Sequence, residues 1–198
     1  MKSDALLSVL NRFVCSDSHF SAKVESHYYV GFWQNADMVS SVIDILKSQL
    51  VLDSKECTSQ YYAQMIGADE NSVFIHVRRG DYVGSEFYFD LSSCDYYRNA
   101  IEYIRSNVPN PSFYVFSDDI EWAKTYFTDY SFRYVQYEGQ TTLGDLYLLS
   151  ICKNAIIANS SYSWWGAALG NKQVVVRPSS QYSDNIHNSM YPQKWIAI

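Results

Sequence analysis

The sequence has 198 residues, of which 47% are hydrophobic and 18% are charged. This is enough apolar material for one buried core, and the length favours a single domain over two. The formal net charge of -6 would repel polyphosphate chains, so it argues against general binding of nucleic acid.

The first part of the chain, residues 1–65, is expected to be mainly helical and irregular. Ala5–Phe13 and Met38–Leu50 both carry apolar residues at helical spacing. Between them, the aromatic run Tyr28–Trp33 favours a short strand.

From residue 72 onwards, short apolar runs alternate with amphipathic stretches. The predicted strands are Val73–Val77, Phe113–Phe116, Phe132–Val135, Ala155–Ala158 and, as the last, Val174–Val176. The predicted helices are Asp95–Ile104, capped by Ser92 or Ser93; one capped within Ser117–Asp119; Leu143–Cys152; and one capped within Asn159–Ser161. This order predicts a single α/β domain over residues 1–198, with a parallel sheet flanked by helices. Such sheets bind ligands at the carboxyl ends of their strands.

The loop after the first of these strands contains two adjacent arginines, Arg78 and Arg79, followed by Gly80 and Asp81. The arginine fork matches a phosphate bidentately and stays charged, so this loop is a candidate anion site. An isolated pattern of this kind is more often a surface ion pair between Arg79 and Asp81. His76 lies within the predicted strand and, taken alone, is more typical of a hydrogen-bonded core residue.

Two further loops follow strands and carry polar residues. Asp118 and Asp119 can hydrogen-bond a base or ribose, chelate a divalent metal, or cap the next helix. Ser160, Ser161 and Ser163 stand at a helix start, where free amides and hydroxyls can hold an anion or simply cap the helix. Together with the arginine loop, they favour a nucleotide diphosphate. The sequence contains neither G-x-x-x-x-G-K-S/T nor G-x-G-x-x-G, which disfavours P-loop and dinucleotide sites.

Four segments resemble the bacterial α-1,2-fucosyltransferases of glycosyltransferase family 11. They are YYVGFWQ (Tyr28–Gln34), FIHVRRGDYVG (Phe74–Gly84), FYVFSDDIEWAK (Phe113–Lys124) and DLYLLSICKNAIIANSSYSWWGAALG (Asp145–Gly170). The last segment is the most specific, whereas H-x-R-R-G-D is shared more widely among fucosyltransferases. The resemblance implies one Rossmann-like half of a GT-B-like architecture, with residues 70–180 as the donor-nucleotide-binding core.

The resemblance also implies an inverting, metal-independent transfer of L-fucose from GDP-β-L-fucose to a glycan acceptor, with no cofactor. Arg78 would neutralise the β-phosphate, and Arg79 would orient the loop or contact the nucleotide. The remaining residues assigned to donor binding are His76, Asp118, Asp119 (on the guanine), Ser160, Ser161 and Ser163. Glu86 and Asp81 are both candidates for the general base.

Family members usually begin with a glycine-rich segment that this sequence lacks, so we expect a fragment or a reduced relative. A GDP-sugar-binding domain without turnover of its own is therefore the alternative function. A metal-dependent glycosyltransferase that uses Asp118 and Asp119 as a metal–diphosphate site is the rival enzyme.

The paired tryptophans of the segment Asp145–Gly170, Trp164 and Trp165, point about 100° apart on a helix. We therefore expect one of them in the core and the other closing the nucleotide pocket.

The four cysteines, Cys15, Cys57, Cys94 and Cys152, are scattered, and Cys94 and Cys152 lie in apolar helical patterns. Reduced thiols and a cytoplasmic location are the simplest expectation, although four cysteines leave a bridge open. No stretch approaches a transmembrane span, and the first residues do not lead into a signal-peptide apolar core. Peripheral association with the inner membrane face stays open.

Overall fold

The computed structural model describes residues 14–15, 28–29, 35–50, 52, 59–128, 131–179 and 190–198. In chain order the elements are β1 (Val14–Cys15), β2 (Tyr28–Tyr29), α1 (Ala36–Gln49), α2 (Gln60–Gly67), β3 (Ser72–Val77), α3 (Tyr96–Asn107), β4 (Ser112–Ser117), α4 (Ile120–Tyr126), β5 (Arg133–Tyr134), α5 (Thr142–Ile151), β6 (Asn154–Ile156), α6 (Ser161–Leu169), β7 (Val174–Arg177) and β8 (Ile196–Ala197). The predicted helix at Ala5–Phe13 lies outside the described residues, as does residue 30 onwards of the strand predicted at Tyr28–Trp33.

Six strands form one parallel sheet in the order β5-β4-β3-β6-β7-β8, while β1 and β2 pair with each other. In the sheet, Val77 lies opposite Ser117 of β4, and Val73 lies opposite Asn154 of β6. The predicted Rossmann-like parallel sheet flanked by helices is confirmed. The prediction that the strand at residue 174 is the last was wrong, because β8 follows it and pairs with β7.

The central strand β3 is buried along its whole length because helices cover both faces of the sheet. Val73 and Ile75 point into a core shared with α3 and α4, whereas Phe74 points into a second core shared with α5 and α6. The alternation continues past the end of the strand, so that neighbouring residues of the loop after β3 point to opposite faces of the sheet.

The helix caps mostly follow the sequence prediction. Asp119 caps α4 by accepting a hydrogen bond from the Trp122 amide, and Ser160 caps α6. The cap predicted for α3 was wrong. Ser92 and Ser93 belong to a preceding 3₁₀ turn that Asp90 caps, so they are already used before α3 begins.

Helices α5 and α6 pack closely against each other behind the sheet. A Cβ at Gly166 would lie 2.8 Å from the Cβ of Leu149, so only glycine allows this approach. The C-terminal end of α5 is capped from outside by Lys172, whose Nζ donates to the carbonyl oxygens of Leu149, Ser150 and Cys152 at 2.6, 2.9 and 2.5 Å. These contacts fix the direction of α5, whose first turn faces the candidate site.

Among the described residues, Cys94 and Cys152 are free thiols. Burial raises the pKa of Cys152 to about 12, so this thiol stays protonated at neutral pH. Within the same part of the chain, no helix combines the length and the apolar character that crossing a bilayer requires.

The division into residues 1–65 and residues 70–180 stays a prediction. Of the first region, the described part contains β1, β2, α1 and the beginning of α2.

Candidate functional site

A cavity of about 720 Å³ opens at the carboxyl ends of β3, β4 and β5, against the first turns of α5 and α6. This is the edge of a parallel sheet where ligands usually bind. Its lining is mainly polar and consists of His76, Arg78, Asp81, Tyr82, Tyr88, Phe116, Ser117, Asp118, Ile120, Val135, Gln136, Gln140, Thr141, Thr142, Asp145, Ser160, Ser161 and Tyr162.

Arg78 faces this cavity and is held between two carboxylates. Its Nη1 lies 3.0 Å from Oδ2 of Asp118, while its Nε and Nη2 lie 2.9 and 2.7 Å from Oδ1 of Asp81. About a third of the side chain (36%) remains exposed. The guanidinium is therefore oriented in advance and accessible to an anion that enters the cavity.

Asp118 contacts both the backbone and a side chain of the loop that contains Arg78 and Arg79. Its Oδ1 accepts a hydrogen bond of 2.9 Å from the Arg79 amide, so one carboxylate holds both the backbone of the loop and the Arg78 side chain. A Cβ at Gly80 would lie only 2.7 Å from Oδ2 of Asp118. A side chain at this position would therefore push the Asp118 carboxylate away from the loop.

Arg79 points to the other side of the loop and is not among the cavity-lining residues. Its guanidinium carbon lies 3.9 Å above the Trp122 ring, Nε lies 3.2 Å from Oδ2 of Asp119, and Nη1 donates to Oγ of Ser92 at 2.6 Å. Only 16% of the side chain is exposed. Arg79 therefore ties the loop to α4 and to the 3₁₀ turn, in agreement with the loop-orienting alternative.

Asp119 is likewise outside the cavity lining, because it caps α4 and pairs with Arg79. The structure does not bring it to the position expected for a residue that contacts the guanine.

His76 lines the cavity although only 6% of the residue is exposed. Burial, followed by the positive charge of Arg78, lowers its pKa to about 3, so the imidazole is neutral at physiological pH. Its ring centroid lies 5.4 Å from that of Tyr162, and its Nδ1 has no hydrogen-bond partner among the residues that the structure describes. A histidine with so low a pKa is a weak proton acceptor, and it can still hydrogen-bond a ligand.

The three candidate serines at the start of α6 take different positions. Ser160 and Ser161 line the cavity at the start of α6. Ser163 is fully buried and donates its hydroxyl to the carbonyl oxygens of Ala158 and Ser160 at 3.3 and 3.2 Å. Only the first two are placed to contact a ligand.

Glu86 is exposed, and it is not among the cavity-lining residues. Its segment is anchored on both sides: the rings of Tyr82 and Tyr88 stack with centroids 4.1 Å apart, and the Tyr82 hydroxyl donates to the Asn159 carbonyl at 3.1 Å. Glu86 therefore lies on a segment whose neighbours form a wall of the cavity, and its role as general base stays a prediction.

The first turn of α5 contributes an acid that sequence reasoning missed. Asp145 lines the cavity and accepts hydrogen bonds from the Tyr137 hydroxyl at 3.1 Å and from Nε2 of Gln140 at 2.8 Å. Burial raises its pKa, and these two hydrogen bonds offset part of the rise. Asp145 is the first residue of the most specific motif, which was the signal available. An acid in a first helical turn, however, has an ordinary structural explanation.

The two tryptophans divide only partly as expected. Trp164 is buried, donates its ring N–H to the Met190 carbonyl at 2.7 Å, and packs 5.5 Å from the Trp195 ring. Trp165 packs edge-on against Trp164 at 5.0 Å, and neither ring lines the cavity. The prediction of one core tryptophan is confirmed, whereas the prediction that the other closes the pocket was wrong.

In the described residues, no group of three or more His, Cys, Asp or Glu side chains could hold a metal ion. Asp118 and Asp119, which the rival interpretation assigns to a metal, are instead bonded to the adjacent arginines.

The fold and the polar cavity at its strand ends agree with comparisons to known proteins. The model of Glycosyl transferase family 11 matches residues 9–198, so the chain belongs to this family. It is 36% identical over 185 residues to an alpha-1,2-colitosyltransferase of Escherichia coli, covering 86% of this chain and 62% of the relative. It is 33% identical over 179 residues to the O-antigen biosynthesis glycosyltransferase WbnK of Escherichia coli, covering 84% and 59%.

A more distant relative is the galactoside 2-alpha-L-fucosyltransferase SEC1 of Bos taurus, 30% identical over 110 residues, which covers 52% of this chain and 30% of the relative. The chain spans about 60% of the length of the two bacterial relatives. It is thus a family 11 glycosyltransferase sequence that matches only part of the length of those proteins.

Proposed function

We propose that the cavity binds GDP-β-L-fucose and that the protein transfers L-fucose to a sugar hydroxyl, in α-1,2 linkage, with inversion and without a metal. The observation that carries this proposal is the Arg78 guanidinium, which is oriented into a polar cavity at the strand ends of a family 11 chain. Membership of the family supports glycosyl transfer. The fucosyl donor and the linkage are supported by the 2-alpha-L-fucosyltransferase relatives.

The diphosphate would bind between Arg78 and the start of α6. Arg78 supplies a permanent charge for the β-phosphate as it departs, and the backbone amides at the start of α6, with the hydroxyls of Ser160 and Ser161, supply neutral donors. Arg78 is the cation that would take the place of a metal at the diphosphate, which supports metal-independent transfer.

The guanine would bind near Asp145. A carboxylate can accept two parallel hydrogen bonds from the N1–H and the 2-amino group of a guanine, and Asp145 is oriented by Tyr137 and Gln140 at the cavity wall. This assignment replaces Asp119.

The acceptor hydroxyl must lose its proton as its oxygen bonds to C1 of fucose and the bond from C1 to the β-phosphate oxygen breaks. Asp81 lines the cavity but is paired with Arg78 while the cavity is empty, whereas Glu86 lies on the adjoining segment, so both stay candidates for the base. GDP leaves with its negative charge neutralised by Arg78.

A second donor is favoured by one specific observation. The relative that is 36% identical is an alpha-1,2-colitosyltransferase, so a colitosyl group is the alternative to the fucosyl group.

Calorimetric titration with GDP, with magnesium and with EDTA, tests donor binding and its metal dependence. Transfer is then assayed from GDP-fucose, and separately from the colitosyl donor, to methyl β-galactoside. We expect GDP binding that EDTA leaves intact, and fucosyl transfer that EDTA leaves intact. Binding without transfer would favour the turnover-free binding domain. Loss of activity in EDTA, restored by manganese, would favour the metal-dependent rival. Absence of GDP binding would overturn the proposal.

A further inference from the structure

The two carboxylates that contact Arg78 are anchored very differently. Asp118 is 26% exposed, holds the Arg79 amide as well as the guanidinium, and lies directly beneath Gly80. Asp81 is 61% exposed, and within the described residues its side-chain hydrogen bonds and ion pairs all go to Arg78. One carboxylate is therefore built into the loop, while the other depends on the arginine alone.

They also occupy different edges of the guanidinium. Asp118 takes Nη1 at 3.0 Å, whereas Asp81 uses a single oxygen to bridge Nε and Nη2. The edge formed by Nε and Nη2 carries two parallel N–H groups, which is the geometry that a phosphate needs for bidentate binding. A phosphate on this edge must displace Asp81, and it can leave the Asp118 contact in place.

We propose that Asp118 is the positioning residue of Arg78 and that Asp81 is an exchangeable counterion, which a phosphate of the ligand replaces. The proposal rests on the proposed binding of a nucleoside diphosphate at Arg78. In the empty cavity, the ion pair with Asp81 would hold the Arg78 guanidinium in the extended position that a phosphate later uses. Asp118 would hold Arg78 in the same position in both the empty and the occupied cavity.

This division of roles predicts effects of opposite sign. If each carboxylate acted only through its negative charge, removal of either one would strengthen the binding of an anion. The proposal instead predicts that Asp81→Asn tightens GDP binding by about threefold, because a competitor with the strength of a surface ion pair is removed. Asp118→Asn should weaken GDP binding by about tenfold, because its amide nitrogen would face Arg78 while its oxygen can still accept from the Arg79 amide.

The test is calorimetric titration of the wild type, Asp81→Asn and Asp118→Asn with GDP and, separately, with guanosine. Asp95→Asn is the matched control. Asp95 forms an exposed ion pair with Arg98 at 2.6 Å, and like Asp81 and Arg78 these two residues are three positions apart. The variant therefore removes the same charge from the same kind of ion pair, but neither residue lines the cavity. We expect no change in this control, and no change in guanosine affinity in any variant. Both effects on GDP should disappear when the variants are combined with Arg78→Ala.

A second variant keeps the test decisive where Asp118→Asn does not fold. Gly80→Ala leaves every charge in place, but its Cβ would displace the Asp118 carboxylate, so it should weaken GDP binding in the same direction. Tightening by Asp118→Asn, weakening by Asp81→Asn, or a parallel loss of guanosine binding would each overturn the proposal while GDP binding at Arg78 still stands. A wild-type chain that binds no GDP would overturn the proposed function and this inference with it.

Discussion

The loop after β3 and the loop after β6 contain equally polar motifs, yet they use their side chains in opposite ways. Arg78 and Arg79 reach partners about 40 positions along the chain, at Asp118 and Asp119. Ser163, by contrast, donates its hydroxyl to the backbone of its own loop. The difference follows from side-chain length, since a guanidinium can reach across neighbouring strands whereas a hydroxyl bonds the nearest backbone group.

The two loops are therefore expected to contribute differently to ligand binding. We expect the loop after β3 to supply most of the free energy of anion binding through one charged side chain. The loop after β6, with α6 behind it, should mainly supply shape, together with the amides of the first helical turn.

Trp164→Ala should lower the free energy of unfolding by about 3–5 kcal/mol, because it empties a buried site in the core behind α6. Chemical denaturation gives this value directly. GDP affinity, measured well below the melting temperature, should change little because the ring does not line the cavity. The control is Trp165→Ala, at a half-buried neighbour, which should destabilise less. A folded Trp164→Ala variant with strongly reduced GDP affinity would contradict the division.

Arg78→Ala should weaken GDP binding by about 1.5–3 kcal/mol and abolish transfer, because a charge-assisted contact to the diphosphate is lost. Arg78→Lys should also be poor, since the charge remains but the fork is gone. Its neighbour provides the comparison. Arg79→Ala should lower the melting temperature, because it breaks contacts to Trp122, Asp119 and Ser92. The comparison fails if Arg78→Ala keeps wild-type turnover.

The stability of the protein should fall in mild acid through His76. Its pKa is about 3 in the folded chain and about 6.5 when unfolded, so between these values the unfolded state binds a proton that the folded state does not. The stability from this group is therefore complete above pH 6.5 and decreases by about 1.4 kcal/mol per pH unit below it.

The measurement is the free energy of unfolding between pH 8 and pH 5, for the wild type and for His76→Gln. The variant should lose the part of the slope that corresponds to one proton. Equal slopes would show that this imidazole is not held neutral by its surroundings.

The smallest effects are expected at the serines. Ser163→Ala should cost about 1 kcal/mol of stability, because the hydroxyl bonds two buried carbonyl groups, and it should leave GDP affinity unchanged. Ser161→Ala should leave the melting temperature unchanged and weaken GDP binding slightly, because this residue is exposed at the cavity wall. Thermal melts and GDP titrations of both variants provide the measurement. If Ser161→Ala lowered the stability and Ser163→Ala lowered the GDP affinity, the roles given to the two serines would be wrong.

The order of strands and helices from residue 72 was predictable because buried parallel strands appear in a sequence as short continuous apolar runs. β8 was missed because two residues, Ile196 and Ala197, carry no periodic pattern. The α3 cap was misplaced because Ser92 and Ser93 are equally suited to a 3₁₀ turn, and only the contact with Asp90 distinguishes the two.

The candidate site was predictable to the level of loops but not of individual side chains. That His76 and Arg78 face the cavity while Arg79 faces away follows from the alternation of side chains, extended by two residues past β3. Choosing between Asp119 and Asp145 required the tertiary structure, because both are ordinary acids at helix starts. Asp119 pairs with Arg79, 40 residues earlier in the chain, whereas Asp145 lines the cavity, and neither position can be read from the local sequence.

The strand order β5-β4-β3-β6-β7-β8 also bears on how the chain can be assembled during synthesis. The central strand β3 is made first, and the sheet then extends outwards in one direction through β4 and β5 before β6 begins the other. By about residue 126 the contacts of Arg79 with Trp122 and Asp119 can already form, so the arginine loop can be set while the ribosome is still adding α6. The wall formed by Ser160 and Ser161 arrives only later. A nascent chain that is stopped before this point would therefore contain a prearranged cation without the cavity that encloses it.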